Sequence, residues 1–364
     1  MRIVNEDIEP EIISIIVPCR NEEKFIGKCL DSIIAQDYPK NRLEILVVDG
    51  MSDDKTREII ETYMKEYTFI RFLDNPRRIV STALNIGIKN ALGEVIVRMD
   101  AHTEYAQDYL TRCVQVLKQT GADNVGGPAR TKADSYIQKA VSIAYKTAFG
   151  VGGAKSHDEN IEGYVDTVTY GCYPKTIFEK IGLFDEELIR NQDDELNLRL
   201  IRAGGKIWQS PQIKSWYYPR GSVTTLFNQY MQYGYWKVKV IQKHKIPASI
   251  RHIVPGTFIG LFTILAMLSP LSQLSLKILV GLLAVYVTAN FGATILACKE
   301  SSKWKYIPVM PIIFSAYHFG YGYGFLRGVL DFVILKKTPS QNFVKLTREN
   351  RHKTREINDG HTFN

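Results

Sequence analysis

No C-x-x-C pair occurs in this 364-residue chain: its five cysteines, Cys19, Cys29, Cys113, Cys172 and Cys298, are scattered and odd in number. That spacing supports neither a disulfide framework nor a zinc centre, and it predicts buried free thiols. The opening MRIVNEDIEP holds no apolar core of a cleavable signal, so the amino-terminal part is expected to stay in the reducing cytoplasm. No G-x-G-x-x-G follows the first apolar run, and no G-x-x-x-x-G-K-S/T occurs. Dinucleotide-binding and P-loop readings therefore lack their phosphate-cradling glycines. One stretch lacks acid altogether: residues 196–251 hold ten Lys/Arg and no Asp or Glu.

What is present is unevenly charged. Residues 1–195 hold 24 basic against 33 acidic side chains, whereas residues 252–364 carry a net +7 and are mostly apolar. An acidic head, a basic neck and an apolar tail exclude a nucleic-acid binder, whose positive charge would cover a folded domain. They suggest instead a cytosolic head seated on anionic membrane lipids. Hydrophobic residues at 45% and charged residues at 23% exclude a disordered or collagen-like chain.

From Ile12 to about Val168, Ile/Val-rich runs alternate with helical patterns: IISIIVP (12–18), KFIGKCLDSIIAQ (24–36), LEILVVDG (43–50), TREIIETYMKEY (56–67), FIRFLDN (69–75), STALNIGIKNAL (81–92) and EVIVRMDAH (94–102). Strands separated by helices at this spacing predict a parallel α/β sheet, and continuous apolar strands predict burial on both faces. A helix over about 194–203 stops at Gly204-Gly205. Three long apolar stretches follow: Ile253–Leu268, Ile278–Cys298 and Ile307–Leu335. The middle one spans a hydrocarbon core of about 30 Å. The first is short for a crossing, and the third is long for one and short for two. The Lys/Arg on either side of the three stretches favour both flanks on the cytoplasmic side, which requires an even number of crossings. The alternatives are an interfacial or re-entrant Ile253–Leu268, a hairpin around Gly320–Gly328 in the third stretch, or a tail outside despite its charge. The expected division is residues 1–221 as a catalytic domain, 222–252 as an amphipathic interfacial neck, 253–335 as membrane segments and 336–364 as a basic tail.

Three polar clusters close predicted strands: VPCRNEE (17–23), VVDG with MSDDKT (47–56), and MDAH (99–102). Ligands bind at the carboxyl ends of strands in an open α/β sheet. Without a glycine cradle, a nucleotide diphosphate needs a carboxylate-held divalent cation as its counter-charge. These clusters, with RRIVSTALNIGIKNALGEVIVRMDAH (77–102) and NQDDELNLRLIRAGGKI (191–207), resemble the ordered motifs of inverting glycosyltransferases of family 2. The likeness extends over about residues 12–245. Among these enzymes the chain is most similar to membrane-attached members of succinoglycan-type exopolysaccharide assembly.

The resemblance implies a GT-A fold, that is, a Rossmann-like α/β nucleotide-diphospho-sugar transferase domain, followed by transmembrane helices. It implies transfer of one sugar from a UDP-sugar to a lipid-linked (polyprenyl) saccharide in cell-surface polysaccharide synthesis. Sugar transfer to polyprenyl phosphate itself and a non-catalytic membrane scaffold are the alternatives. The family's Asp-x-Asp becomes Asp100-Ala101-His102 here, and strand parity would turn both side chains to one side. A carboxylate with an imidazole suits Mn²⁺ better than Mg²⁺, with His102 as a hydrogen-bonding group the other reading. Asp193 falls at the position of the general base, with Asp194 and Glu195 competing from the same acidic run. Donor contacts are expected from Pro18, Asn21, Glu22, Asp49, Asn85, Arg98 and Asp100. Arg77 and Arg78 are either phosphate partners or a solvated pair. Asp54 with Thr56 reads as a helix N-cap. Gly171, Tyr173 and Asp194 are expected on the acceptor side.

In the neck, Phe227, Tyr230, Tyr233 and Trp236 recur near helical spacing before four lysines, as in an interfacial helix. Gln229, Gln232 and Tyr233 stand where processive relatives carry Gln-x-x-Arg-Trp, and the partial match argues against a polymerising synthase. Gln229, Tyr233 and Trp236 are expected to contribute to the acceptor side.

Overall fold

The structure is a computed structural model that describes residues 11–344. It divides into two compact units that meet between Pro219 and Arg220.

The first unit is built on an eight-stranded mixed sheet. Four strands run parallel in the order β3-β2-β1-β4: β1 (Ile13–Cys19), β2 (Leu43–Asp49), β3 (Ile70–Asp74) and β4 (Val95–Arg98). The connecting helices are α1 (Ile26–Ile34), α2 (Thr56–Glu66) and α3 (Val80–Asn90). After β4 come β5 (Thr103–Tyr105), α4 (Tyr109–Thr120), β6 (Asn124–Gly127), β7 (Arg130–Thr131), α5 (Tyr136–Tyr145), α6 (Ala148–Val151), β8 (Gly163–Tyr164) and β9 (Thr169–Pro174). The unit ends with α7 (Ile177–Ile181), α8 (Gln192–Arg202), β10 (Ile207–Gln209) and β11 (Ser215–Tyr217). The all-parallel expectation holds for the first four strands and for β6 with β10, which pair in parallel, but not for β8 and β9. β9 lies antiparallel between β4 and β6, and β5, β11 and β7 form a separate small sheet.

Burial on both faces explains the composition of β1 and β2. Ile13, Ile15 and Val17 pack with Leu30 and Ile33 of α1 and Tyr109 of α4. Their neighbour Ile16 points the other way, with Leu46 and Val48, toward Ala83, Leu84 and Ile88 of α3 and Leu196 and Leu200 of α8. Successive strand residues alternate between faces, so a run without polar breaks is what two covered faces require. The same alternation seats α8 under the sheet, which fixes where its first turn emerges.

The second unit is helical: α9 (Val223–His244), α10 (Val254–Leu268), α11 (Gln273–Glu300) and α12 (Met310–Gly328), the last continuing as a π-helical turn over Val329–Ile334. Among the described residues two helices, Ile250–Leu268 and Gln273–Glu300, are long and apolar enough to cross a membrane. The third apolar stretch behaves differently. Gly320, Gly324 and Gly328 of α12 meet the backbones of Phe227, Met231 and Tyr235 of α9, and a Cβ at Gly324 would stand 1.9 Å from the Met231 carbonyl oxygen. Both sets advance by four residues, so α9 and α12 run parallel with their backbones in contact, as small-residue helix pairs do. On another side Gly256 of α10 receives the Phe325 ring.

This contact corrects the reading of the neck as a surface helix. Trp236 and Lys237 are interior, and the Trp236 indole N–H donates to the Phe343 carbonyl at 3.0 Å. Phe227, Tyr230 and Tyr233 are half-buried, and Tyr230 packs edge-on against Tyr317. Glycines in α12 let that helix come close enough to cover the face that looked lipid-facing in α9 alone. The basic tail expected over 336–364 lies outside the described residues beyond Val344.

Candidate active site

The carboxyl ends of β1, β2 and β4 bring the three polar clusters together at one edge of the first unit. Register pairs Cys19 with Asp49 and Asp49 with Asp74, so the loops after β1 and β2 leave side by side. Asn21, at φ 55°, ties them: its N–H donates to Ser52 Oγ at 2.8 Å, and its Oδ1 accepts from Asp53 N–H at 3.0 Å. Glu22 N–H donates to Thr56 Oγ1 at 2.8 Å, and Thr56 N–H donates to Asp54 Oδ1 at 3.0 Å. Asp54 thus takes the Thr56 N–H just ahead of α2, although the N-cap position itself falls on Lys55. Pro18, in register with Val48, is half-buried just before this junction.

Asp49 is wholly buried. Its Oδ2 accepts from Ser52 N–H at 2.9 Å and from Arg57 Nε at 2.8 Å, while Ser52 Oγ–H donates to Oδ1. The hydrogen bond to Asp49 also raises the Arg57 pKa above its ordinary value. Asp49 therefore shapes the loop from within. Arg57, absent from the sequence-based set, bridges Asp49 to Asp74 and lies 5.0 Å from the centre of the Phe72 ring. Asn85 is likewise spent internally. Its amide donates to the Phe184 carbonyl and to Glu186 Oε1, and its Oδ1 accepts from Phe184 N–H, each at 2.9 Å. It pins α3 to the segment after α7 with three hydrogen bonds. Arg77 pairs with the same Glu186.

β4 ends at Arg98, and Asp100 to Thr103 form a turn closed by Thr103 N–H to the Asp100 carbonyl at 3.1 Å. Strand parity therefore does not align Asp100 with His102, contrary to the expectation; the chain turns before His102 because Thr103 starts a strand of the other sheet. Arg98 grips Asp100 with two bonds, Nε to Oδ1 at 2.8 Å and Nη2 to Oδ2 at 3.0 Å. Its remaining arm, Nη1, stands 3.9 Å from Asp193 Oδ2. Burial works against the Arg98 charge, but Asp100 and then Asp193 outweigh it and hold the guanidinium well above its ordinary pKa. His102 Nδ1 lies 3.3 Å from Glu22 Oε1.

Asp193 sits in the first turn of α8, where the helix dipole favours a carboxylate. Its side chain is 51% exposed. Glu195 is its opposite: fully buried, forked by Arg199 Nε at 3.0 Å and Nη2 at 2.8 Å, with Arg199 also donating to the Leu183 carbonyl. A carboxylate so enclosed cannot meet an acceptor, which removes Glu195 from the competition. Asp194 is half-buried, and its N–H donates to Asp193 Oδ1 at 3.0 Å.

Tyr173 of β9 is buried beside these groups. Burial raises its hydroxyl pKa, Arg98 pulls it down, and Asp193 pushes it up again. A Cβ at Gly171 would lie 2.4 Å from the Tyr173 ring, so this glycine makes room for the tyrosine instead of forming a floor for an acceptor. Tyr105 and Tyr170, which the sequence reading did not single out, frame the turn. The Tyr105 hydroxyl oxygen accepts from Asp100 N–H at 2.6 Å, and the Tyr170 and Thr103 hydroxyls are 2.7 Å apart. Gln229 and Tyr233 belong to the second unit, where the Gln229 amide donates to the Tyr233 hydroxyl at 3.0 Å. All five cysteines are buried free thiols, as their spacing implied.

Among the described residues no three His, Cys, Asp or Glu side chains converge as a metal cage. The donor set still fits a divalent cation. Asp100 would supply oxygen and His102 nitrogen, and the Glu22 carboxylate beside Nδ1 is the kind of support that a ligating imidazole ordinarily has on its other ring nitrogen.

Comparison with known proteins gives the family. The profile described as glycosyl transferase family 2 matches residues 14–182. A dolichyl N-acetyl-α-D-glucosaminyl phosphate 3-β-D-2,3-diacetamido-2,3-dideoxy-β-D-glucuronosyltransferase of Methanococcus voltae is 34% identical, covering 87% of this chain and 97% of that one. The succinoglycan biosynthesis protein ExoA of Rhizobium meliloti is 30% identical, covering 87% of this chain and 95% of that one. The chain belongs to glycosyltransferase family 2. Among solved structures the transferase shares its fold with the mannosyltransferase PcManGT from Pyrobaculum calidifontis in complex with GDP-Man and Mn²⁺. That match has a TM-score of 0.54 at 20% identity and covers 85% of this chain and 87% of that one. The family profile takes in Asn21, Asp49, Asp100 and His102 and stops short of Asp193.

Proposed function

We propose that the transferase is an integral membrane enzyme that uses a divalent cation, Mn²⁺ or Mg²⁺, to move one sugar from a UDP-sugar to a polyprenyl-linked saccharide, with inversion, on the cytoplasmic face. The relatives support the acceptor class. One is named for transfer to a dolichyl-phosphate-linked sugar and another for succinoglycan biosynthesis. The two long apolar helices support attachment to the membrane.

The observation that carries the mechanism is the contrast inside one acidic run. Asp193 is open and faces Arg98 at 3.9 Å, whereas Glu195 is sealed by Arg199. Asp193 takes the proton of the acceptor hydroxyl as that oxygen attacks C1 and the bond from C1 to the diphosphate oxygen breaks. A cation held by Asp100 and His102 would offset the charge that collects on the departing diphosphate. Arg98 steadies Asp100, and Glu22 orients His102. Asn21 and Asp49 hold the two loops that flank the nucleoside, with Pro18 beside them.

The test is UDP release from a panel of UDP-sugars in lipid, with a membrane-lipid extract as acceptor, comparing the parent chain with Asp193→Asn. Turnover that needs both cation and extract and is lost in the variant supports the reading; equal turnover in the variant removes Asp193 as the base.

A further inference from the structure

Arg98 does more in this site than donor binding explains. Its fork takes both oxygens of Asp100, the carboxylate assigned to the cation, at 2.8 and 3.0 Å. Both partners are nearly closed to solvent, at 13% and 14% side-chain exposure. A cation reaching Asp100 therefore meets a guanidinium already on both oxygens, and in this enclosed place the two positive groups repel, which favours release of the fork. A buried ion pair is seldom retained for stability alone, because apolar residues of similar size do as well. This pair also has a direction: the third arm of the guanidinium points at Asp193, 3.9 Å away and just beyond hydrogen-bond length.

We infer that Arg98 is a positioning residue that stands in for the cation, holding Asp100 in place until a divalent ion displaces the fork and frees it toward Asp193. The exchange makes cation arrival on the donor side and the charge beside the base a single event. It rests on the proposed assignment of Asp100 as a cation ligand. No covalent step is involved, and charge is conserved locally: Asp100 trades a monovalent partner for a divalent one, and the released guanidinium gains a nearer carboxylate.

The measurement is Mn²⁺ affinity, read by electron paramagnetic resonance of free and bound ion, without donor or acceptor. It compares the full chain in lipid with Arg98→Gln, Arg98→Lys and Asp100→Asn. Removing the competitor should tighten Mn²⁺ binding by about tenfold in Arg98→Gln, the scale of a charge-assisted contact. Arg98→Lys, which keeps the charge without the fork, should fall between that variant and the parent. A merely structural arginine would give weaker binding on removal, so a gain separates the two roles. Near-UV circular dichroism confirms that each variant keeps its tertiary packing. If Asp100→Asn loses Mn²⁺ while both Arg98 variants bind it no tighter than the parent, the exchange is wrong and the cation site stands. If Asp100→Asn binds Mn²⁺ as the parent does, the cation site and the exchange fall together.

Discussion

The two units bury opposite things. In the first, Ile, Val and Leu fill both faces of the sheet while carboxylates gather at the strand ends. In the second, large apolar side chains such as Leu261, Ile264, Met267, Val280 and Val285 face outward. Gln229, Gln232, Asn290, Thr294 and Asp331 lie inside. Some polar groups find partners within the unit: the Asn290 amide donates to the Pro311 carbonyl at 3.1 Å, the Tyr235 hydroxyl donates to Asp331 Oδ2 at 3.0 Å, and the Tyr286 hydroxyl lies 3.1 Å from His318 Nδ1. A chain follows its solvent. Water rewards apolar interiors, whereas hydrocarbon offers no gain for burying leucine and leaves close packing and internal hydrogen bonds to hold helices together.

Four tests sharpen or break that contrast, beginning with the largest effect. Asp193→Asn should lower sugar transfer by about 10²–10⁴-fold with UDP binding unchanged, since it removes proton acceptance and little else. Steady-state UDP release beside calorimetric UDP binding checks this. Next, one substitution made in both units should part them. Val285→Arg, at a position 69% exposed on α11, should cost about 2.5–3.5 kcal/mol of insertion, read as the glycosylation-tagged inserted fraction. Leu92→Arg, 75% exposed in the first unit, should change stability by less than about 0.5 kcal/mol. Equal tolerance at the two sites would contradict the idea of two solvents.

Packing inside the second unit gives a smaller effect with its own control. Gly324→Val forces a branched side chain against the Met231 carbonyl and should destabilise the helix pair by about 1–3 kcal/mol. Gly281 has nothing within 4 Å of an added Cβ, so Gly281→Ala should gain up to about 1 kcal/mol from helix propensity. Unfolding in mixed micelles compares the two. In the first unit, Glu195→Ala should cost about 2 kcal/mol of stability by stranding Arg199, with UDP affinity kept. A loss of transfer beyond the loss of folded protein would return Glu195 to the list of bases.

Much of this was legible from residue order. The strand–helix alternation up to β4 placed the polar clusters at one edge because apolar periodicity reports burial directly. Asp193 was legible as one of three acids but not as the exposed one, since exposure depends on Arg199 reaching back from the next turn of α8. The internal partners of Asp49 and Asn85, Arg57 and the Phe184–Glu186 segment, come from packing that spacing does not encode. The turn after Arg98 was hidden for a similar reason: the break between two sheets falls inside what reads as one strand. In the second unit the glycine spacing of α12 was visible, yet its meaning depended on α9, some 90 residues earlier, lying against it.

The measurement that bears most directly on the central claim is UDP release by the full chain in lipid, with UDP-sugars, a membrane-lipid extract, and Mn²⁺ or excess EDTA, beside Asp193→Asn. The account predicts release that requires both cation and lipid acceptor and that is lost in a variant still binding UDP. Release that persists in EDTA, or that proceeds undiminished in Asp193→Asn, would contradict it.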